Sequence, residues 1–418
     1  MSLISARSIP LAIVVSTALI ASTLVADAPA ATADEQQQQV LFVGNNWDGT
    51  VDVVTDDGKL EPVGEINIVP DLDERLAEIK RDPVKFLYYR AIREFIGEGH
   101  DQYVDDMYST ADGKLLVVSR PSLADVVGID IASGEIKWRF PVEGHRSDHM
   151  ALSPDGAQVA VSASTANTVH LLDVQTGQEE GSFATGDSPH ENVYTSDGRY
   201  VFNASIGNVY TPFDHPLFGP TKGKRYFEVY DRDSGEVVKQ INMADKLDEA
   251  GYEHMSASVR PMTFSPDGKT MYFQVSFEHG FFEYDLTTDT VKRRAELPIA
   301  DDVQDVPREQ YLLDSAHHGI AMNTDGDRIC VAGTMSDYAT IVDQDSLEHQ
   351  GLIEGGEKPY WATRSGDSEN CYVSWSGSDR VSAISYDTGK EVASVSVGDH
   401  PQRMRVGTVP SAWNGTSG

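Results

Sequence analysis

Basic residues are scarce in this chain of 418 residues. Its 33 lysines and arginines stand against 66 aspartates and glutamates, and the formal net charge is -33. A surface of this sign repels nucleic acid and anionic membranes, so neither is expected as a partner. The charge favours solubility, cationic ligands or a salty environment, and an acidic exported surface with no charge-specific role is the simplest interpretation.

Cysteine is almost absent, with only Cys330 and Cys371 in the chain. Neither lies in a CxxC pair or shows the spacing of a metal site. Each stands early in a predicted strand, so the two could be buried free thiols. In an oxidising compartment they could equally form a disulfide, and the sequence leaves both alternatives open.

Long apolar runs are absent beyond the N-terminus. Arg7 precedes an apolar run from Ile9 to Val25, and Ala31-Thr32-Ala33 then fits the small-x-small pattern of a cleavage site. This predicts a signal peptide over residues 1–33 and a polar linker over 34–39, with no cysteine nearby for a lipid anchor. We therefore expect a secreted or periplasmic protein whose mature form has no membrane span.

Familiar catalytic motifs are missing too. No HExxH, GxSxG or phosphate-loop sequence occurs in a supportive context. Chemistry, if present, must come from residues that are distant in sequence.

The chain does contain an internal repeat. Met150-Ala-Leu-Ser-Pro-Asp-Gly156 is followed by a β-branched segment, a polar loop, a second such segment and Thr176-Gly177, and the same order recurs around Phe264–Gly268 and Asn323–Gly326. The Asp-Gly pairs supply the positive φ that a tight hairpin needs. The period of about 42 residues is typical of a four-stranded propeller blade.

The repeats predict an all-β fold, a seven-bladed β-propeller with four-stranded blades over residues 40–413, followed by a tail over 414–418. The first unit, Val40 to Val69, lacks an inner strand, which Gln402–Val406 would supply by pairing the two chain ends. The other units are expected at 103–144, 145–186, 187–251, 252–302, 303–356 and 357–399. Two insertions interrupt them, a helical one at 71–99 and a Gly/Pro/aromatic loop at 207–226.

At fold level the chain resembles the YVTN-repeat, lactonase-like propellers of bacteria. The resemblance is carried by Ser162–Gly177, by the Ser-Pro-Asp-Gly turns and by Gly398-Asp-His-Pro401. That superfamily includes lactonase-like enzymes, lyases and binding proteins, so the resemblance implies the fold and leaves the function open.

Histidines recur where the innermost strands begin. Aligning the units on their turns superposes one residue per blade, namely Asp105, Asp148, His190, Arg260, His318, Tyr360 and Gln402. Seven of the 12 histidines fall within a few residues of these positions: His145, His149, His190, His254, His317, His318 and His400. Imidazoles that converge with carboxylates on one axis suit a divalent transition metal such as zinc, copper or manganese. The histidines with Arg260, Tyr360, Trp361 and Arg403 could instead form a metal-free pocket for an organic anion. They could also line a polar channel in which backbone groups and water satisfy them.

We assign candidate roles on this basis. The predicted metal ligands are His149, His190, His318 and His317. The predicted catalytic residues are His145, His254, Arg260 and Asp148, with Arg260 placed to hold a carboxylate or a developing negative charge. The predicted substrate contacts are Tyr360, Trp361, Arg403 and Trp47, and Tyr210, Phe213 and His215 are further candidates for the pocket wall.

Two functions fit these residues. The first is a metal-dependent enzyme that acts on a small organic substrate by hydrolysis, elimination or oxidation. The second is a non-catalytic propeller, expected as a monomer like the first, that binds a ligand, a metal or a protein.

Overall fold

The computed structural model describes residues 36–209 and 221–415. The predicted signal peptide and Tyr210, Phe213 and His215 lie outside these residues. No helix in the described ranges is long and apolar enough to cross a membrane.

Short antiparallel strands dominate the described chain. The first three blades contain β1 (Gln37–Asn45), β2 (Thr50–Thr55) and β3 (Pro62–Asn67), then β4 (Asp106–Ser109), β5 (Leu115–Arg120), β6 (Asp125–Asp130) and β7 (Ile136–Pro141), then β8 (Ser147–Leu152), β9 (Gln158–Ala163), β10 (Thr168–Asp173) and β11 (Glu179–Ala184). The fourth and fifth contain β12 (Pro189–Tyr194), β13 (Tyr200–Ser205), β14 (Phe227–Asp231), β15 (Glu236–Ile241), β16 (Val259–Phe264), β17 (Thr270–Val275), β18 (Gly280–Asp285) and β19 (Thr290–Glu296). The sixth contains β20 (Gly319–Met322), β21 (Arg328–Gly333) and β22 (Tyr338–Asp343), and the last strands are β23 (Pro359–Arg364), β24 (Asn370–Trp375), β25 (Arg380–Ser385), β26 (Glu391–Ser396) and β27 (Pro401–Pro410).

These strands form a seven-bladed β-propeller, as the repeat predicts. Six blades are four-stranded sheets, and the sixth has three regular strands with isolated bridges at His349 and Ile353 in place of the fourth. The ring closes as expected, because β27 pairs antiparallel with β1 as the innermost strand of the first blade. β1 begins at Gln37, so the last three residues of the predicted linker pair with the end of β27.

The hydrophobic core is divided among the blade interfaces. The described residues form seven clusters of buried apolar side chains, and each joins one pair of successive blades. Phe42 and Met107, for example, pack between the first and second blades. Because burial requires a neighbour on both sides, no blade can bury its apolar surface alone.

The Asp-Gly turns have the predicted geometry. In the third blade the Ser153 hydroxyl donates to Asp155 Oδ1 at 2.5 Å, and the Ala157 N–H donates to the same oxygen at 3.1 Å. Gly156 then adopts φ +70°, a conformation that side chains disfavour. The same hydroxyl–carboxylate bond recurs at Thr110, Thr195, Ser265 and Ser365.

The helical insertion consists of α1 (Leu72–Arg81) and α2 (Pro83–Phe95). Asp82 caps α2 by accepting from the Val84 and Lys85 N–H groups, and Pro83 occupies its first turn. Fully buried Arg120 ties the insertion to the second blade through Asp71 at 2.6 Å and Asp125 at 2.8 Å. A third helix, α3 (Met243–Glu249), links the fourth and fifth blades and was not predicted.

The two cysteines form a disulfide. Cys330 in β21 is bonded to Cys371 in β24, so the bridge joins the sixth and seventh blades within a buried apolar cluster. This resolves the alternative that the sequence left open.

Candidate metal centre

The innermost strands share a local irregularity at one mouth of the channel. In five of the described blades a β-bulge interrupts the pairing of the innermost strand near its start. The bulged residues are Asp148-His149, His190, Arg260-Pro261, Tyr360 and Gln402-Arg403. In the remaining two blades, Asp105 and His318 directly precede β4 and β20. Since a bulge redirects a side chain, these irregularities turn polar residues of five blades toward the mouth of the channel.

A proline turn leads into three of these bulges. Ser188, Lys358 and His400 each precede a proline and have φ values of 54°, 48° and 58°. This left-handed conformation is uncommon for residues with side chains and requires support from the surrounding structure. In each case the proline begins the strand, so the turn fixes the position of the bulged residue that follows the proline: His190, Tyr360 or Gln402.

Asp148, His149 and His190 form a cluster that could hold a metal ion. Their ligand atoms all lie within 4.8 Å of one another, and all three residues are buried. The rings of His149 and His190 lie with centroids 3.7 Å apart and interplanar angle 79°. His318 lies beside them, with its centroid 5.5 Å from that of His190 and 6.1 Å from that of His149.

The three imidazoles are held in the neutral form. Burial lowers the pKa of His149, His190 and His318 well below the usual value, and nearby positive groups such as Arg403 lower each further. Neither ring nitrogen of His318, nor Nδ1 of His190, has a hydrogen-bond partner in the described part of the chain. Neutral imidazole is the form that ligates metals, so this environment suits coordination.

The orientation of His149 is set from two other blades. Its Nδ1 atom lies 2.9 Å from Glu191 Oε2, which also accepts from Arg403 Nη2 at 3.0 Å. Arg403 contacts the His149 ring as well, and its guanidinium lies 3.5 Å from the centroid of the Trp361 ring. Glu191 and Arg403 therefore position the imidazole.

Two carboxylates flank the cluster. Asp148 forms an ion pair with Arg146, and its Oδ1 lies 3.5 Å from His149 Nε2. Asp105 Oδ2 lies 3.6 Å from the same nitrogen and has no hydrogen-bond partner among the described residues. Burial raises the pKa of both carboxyls, and at Asp105 the negative charge of Asp148 raises it further.

A cavity of about 340 Å³ opens above the cluster. Its wall includes Asp105, Asp148, His149, His190 and Arg260. Tyr360 also lines it and stacks on His318 with ring centroids 4.2 Å apart. The volume is that of a small-molecule site.

Three of the predicted histidines lie away from this cavity. His145 stacks on Tyr88 and lines a separate shallow pocket beside the helical insertion. His254 is exposed in the loop after α3. His317 is buried, but its Nε2 atom lies 3.3 Å from the Tyr338 hydroxyl and its ring packs on His279. Their assigned roles stay predictions that this placement does not support.

Three of the predicted substrate contacts lie apart from the cluster cavity. Trp361 and Arg403 are both buried and do not line it. Trp47 is stacked between His100 and His400, with centroid distances of 3.8 and 3.7 Å, and lines a second cavity. Tyr360 lines both cavities.

Three residues of the site, Arg146, Glu191 and Asp105, have no predicted role from the sequence. Asp105 and Glu191 occupy inner-strand positions equivalent to Asp148 and His149, so the blade alignment contained a signal for them. Arg146 had no such signal, because its side chain reaches Asp148 from outside the aligned positions.

The comparisons with known proteins add no assignment. No protein-family model matches the chain, and no curated protein matches it significantly.

Proposed function

We propose that the protein is an exported metal-dependent enzyme that acts on a small organic substrate at the mouth of the propeller. The observation that carries the proposal is the buried cluster of Asp148, His149 and His190, whose ligand atoms lie within 4.8 Å of one another. Two imidazoles and a carboxylate suit zinc, copper or manganese. A divalent ion held by three protein ligands keeps a position for water or substrate and supplies Lewis acidity.

Asp105 is the best-placed general base or acid in this proposal. It is buried, lines the cavity and has one oxygen without a partner among the described residues. Burial and the charge of Asp148 raise its pKa, and a carboxyl group that lines the cavity beside the cluster is positioned for proton transfer. Hydrolysis and elimination both need such a group, and oxidation at copper would use it to remove a substrate proton.

A second candidate function is metal or ligand binding without turnover. The existing ion pairs favour its metal-free form, ligand binding, because Asp148 already pairs with Arg146 and Glu191 with Arg403. A metal ion would have to share the Asp148 carboxylate with Arg146, and this competition would weaken metal binding. Elemental analysis tests for the metal centre, and a turnover assay separates the two functions.

The first experiment is elemental analysis of the chain purified without chelator or histidine tag. We expect about one transition metal per chain, retained in the H349A control, whose histidine is exposed on the outer edge of the sixth blade. The H149A/H190A double variant should lose the metal while keeping a native circular dichroism spectrum. An absence of metal in the wild-type protein, even after incubation with zinc, copper and manganese, would refute the metal centre.

A further inference from the structure

Arg260 is a buried guanidinium without a counter-ion. Its residue is 1% exposed and it lines the cavity above the metal cluster. Its Nε donates to the Ser276 hydroxyl at 3.0 Å, and Nη2 donates to the Leu313 carbonyl. No carboxylate in the described ranges forms an ion pair with it, although the charges of Asp314 and Asp148 favour its charged form from further away. Since buried charges are normally paired, Arg260 could bind an anion directly.

The other buried arginines of the mouth are different. Each already has a carboxylate partner: Arg146 pairs with Asp148, Arg403 with Glu191 and Arg405 with Asp106. Burial lowers the pKa of Arg260, whereas the carboxylates beside Arg146 and Arg405 raise theirs. Arg260 is therefore the member of this group that a ligand can neutralise.

A second cavity of about 250 Å³ adjoins the first. The two share Ile96, Gln102, Leu313, Tyr360 and Gln402 as lining residues. Met335 and Trp47 also line the second cavity, together with the polar side chains of Glu98, Asp337, Lys358 and His400. The two adjoining cavities therefore have a guanidinium and the metal cluster at one end, and apolar side chains beside polar groups at the other.

Leu313 lies between the two cavities in a constrained conformation. Its φ is 49° although it is not glycine, and Asp314 follows with φ 59°. The Leu313 carbonyl accepts from Arg260, which holds this segment against the guanidinium. Such conformations are energetically costly and persist where the surrounding structure enforces them, often at ligand sites.

We propose that the ligand of this double cavity is a carboxylate with an apolar tail. The carboxylate binds Arg260, the tail occupies the pocket of Ile96, Leu313 and Met335, and the carbon next to the carboxylate faces the metal cluster. The inference deepens the proposed function by naming the substrate class, and it rests on that function only for the claim that the ligand reacts.

The test measures binding of butyrate, hexanoate and octanoate to the full chain by calorimetry. Hexanamide is the neutral control. Affinity should rise about three- to fourfold for each added methylene, as burial of an alkyl chain predicts. Hexanamide should bind at least about tenfold more weakly than hexanoate, because a charge-assisted bond to Arg260 is lost.

Three variants locate the ends of the ligand. R260Q should remove the preference for hexanoate over hexanamide, R260K should retain most of it, and M335S should flatten the dependence on chain length. R199Q is the matched control, since Arg199 is half-exposed on the opposite face of the propeller. Circular dichroism shows whether each variant is folded, and R260K keeps the test informative if R260Q is not.

Each titration is run on chelator-treated and on metal-loaded protein. A carboxylate preference that persists after chelation and disappears in R260Q supports the inference, even if no metal binds and the proposed enzyme is refuted. A preference that requires metal and survives in R260Q places the carboxylate on the metal, which overturns the inference while supporting the metal centre. Absence of binding by all four probes in both forms also overturns it.

Discussion

The Nδ1 atom of His149 lies 2.9 Å from Oε2 of Glu191, which is 42 residues further along the chain and one blade away. Glu191 also accepts from Arg403 in the first blade. The orientation of one imidazole at the candidate metal centre therefore depends on three blades. Partners of this kind fix the tautomer and basicity of a metal-ligating histidine.

Replacement of this carboxylate should weaken metal binding. In E191Q the side chain keeps its size but loses the charge that orients His149 and pairs with Arg403. We expect the affinity for the bound metal to fall about 10- to 100-fold, measured by competition with a chromophoric chelator.

E228Q is the matched control for this variant. Glu228 is a fully buried carboxylate of the same blade that bonds Gln240 and the Gly186 N–H away from the cluster. Its replacement should change the melting temperature and leave metal affinity unchanged. Equal affinities for E191Q and wild type would show that Glu191 does not position the metal ligand.

The sequence predicts the fold well because the propeller is repetitive. Each blade repeats the same hairpin chemistry, so the Asp-Gly turns give the strand count, and the unpaired first unit gives the closure by β27. The bulges are different. In the third blade Asp148 and His149 are bulged together, whereas in the fourth blade His190 is bulged alone. The size of each bulge depends on the register between two strands, which no local sequence pattern encodes.

Three of the predicted site residues lie away from the cluster for related reasons. His145 and His254 lie in loops before the innermost strands, where the blade alignment does not fix the direction of a side chain. Next to a strand, a shift of one residue turns a side chain to the other face. His317 and His318 are adjacent, and only His318 lies beside the cluster while His317 contacts Tyr338. Helix α3 went unrecognised because its seven residues carry only Met243 and Leu247 as buried positions.

Reduction of the disulfide should destabilise the propeller. Cys330 and Cys371 are fully buried and separated by 41 residues. Constraining a loop of that length stabilises the folded state by about 4 kcal/mol in the chain-entropy model. We expect C330S/C371S to melt several degrees below the wild-type protein and to be insensitive to reductant. A wild-type melting temperature that does not change after complete reduction, verified by thiol titration, would contradict this.

Closure of the ring should be sensitive to a single core residue of β27. Met404 is fully buried and packs with Leu41, Val43 and Trp361 between the seventh and first blades. Truncation to alanine removes these contacts and leaves a cavity, so M404A should lose about 2–5 kcal/mol of unfolding free energy. The control is V392A in β26, where the side chain is 55% exposed and the expected change is within about 0.5 kcal/mol. Similar denaturant midpoints for the two variants would argue against closure through this strand.

Acid should destabilise the fold partly through His400. This residue is 2% exposed and stacked on Trp47, and burial, with the positive charge of Lys358, lowers its pKa to about 3. Unfolded histidine titrates near pH 6.5. Below that pH His400 is protonated in the unfolded chain but stays neutral in the folded chain. The free energy of unfolding therefore falls by about 1.4 kcal/mol per pH unit until the pKa of the folded state is reached.

The loss of stability caused by H400N should therefore depend on pH. Asparagine tolerates the positive φ of 58° at this position but loses the stacking on Trp47, so the variant should be less stable than wild type at pH 7. Since it cannot titrate, its deficit should shrink by about 2–3 kcal/mol between pH 6.5 and pH 4.5, measured by urea unfolding at each pH. H349N, which replaces an exposed histidine, should follow the wild-type pH profile. A deficit of H400N that is constant across this range would mean that His400 takes up its proton equally in both states and does not contribute to acid sensitivity.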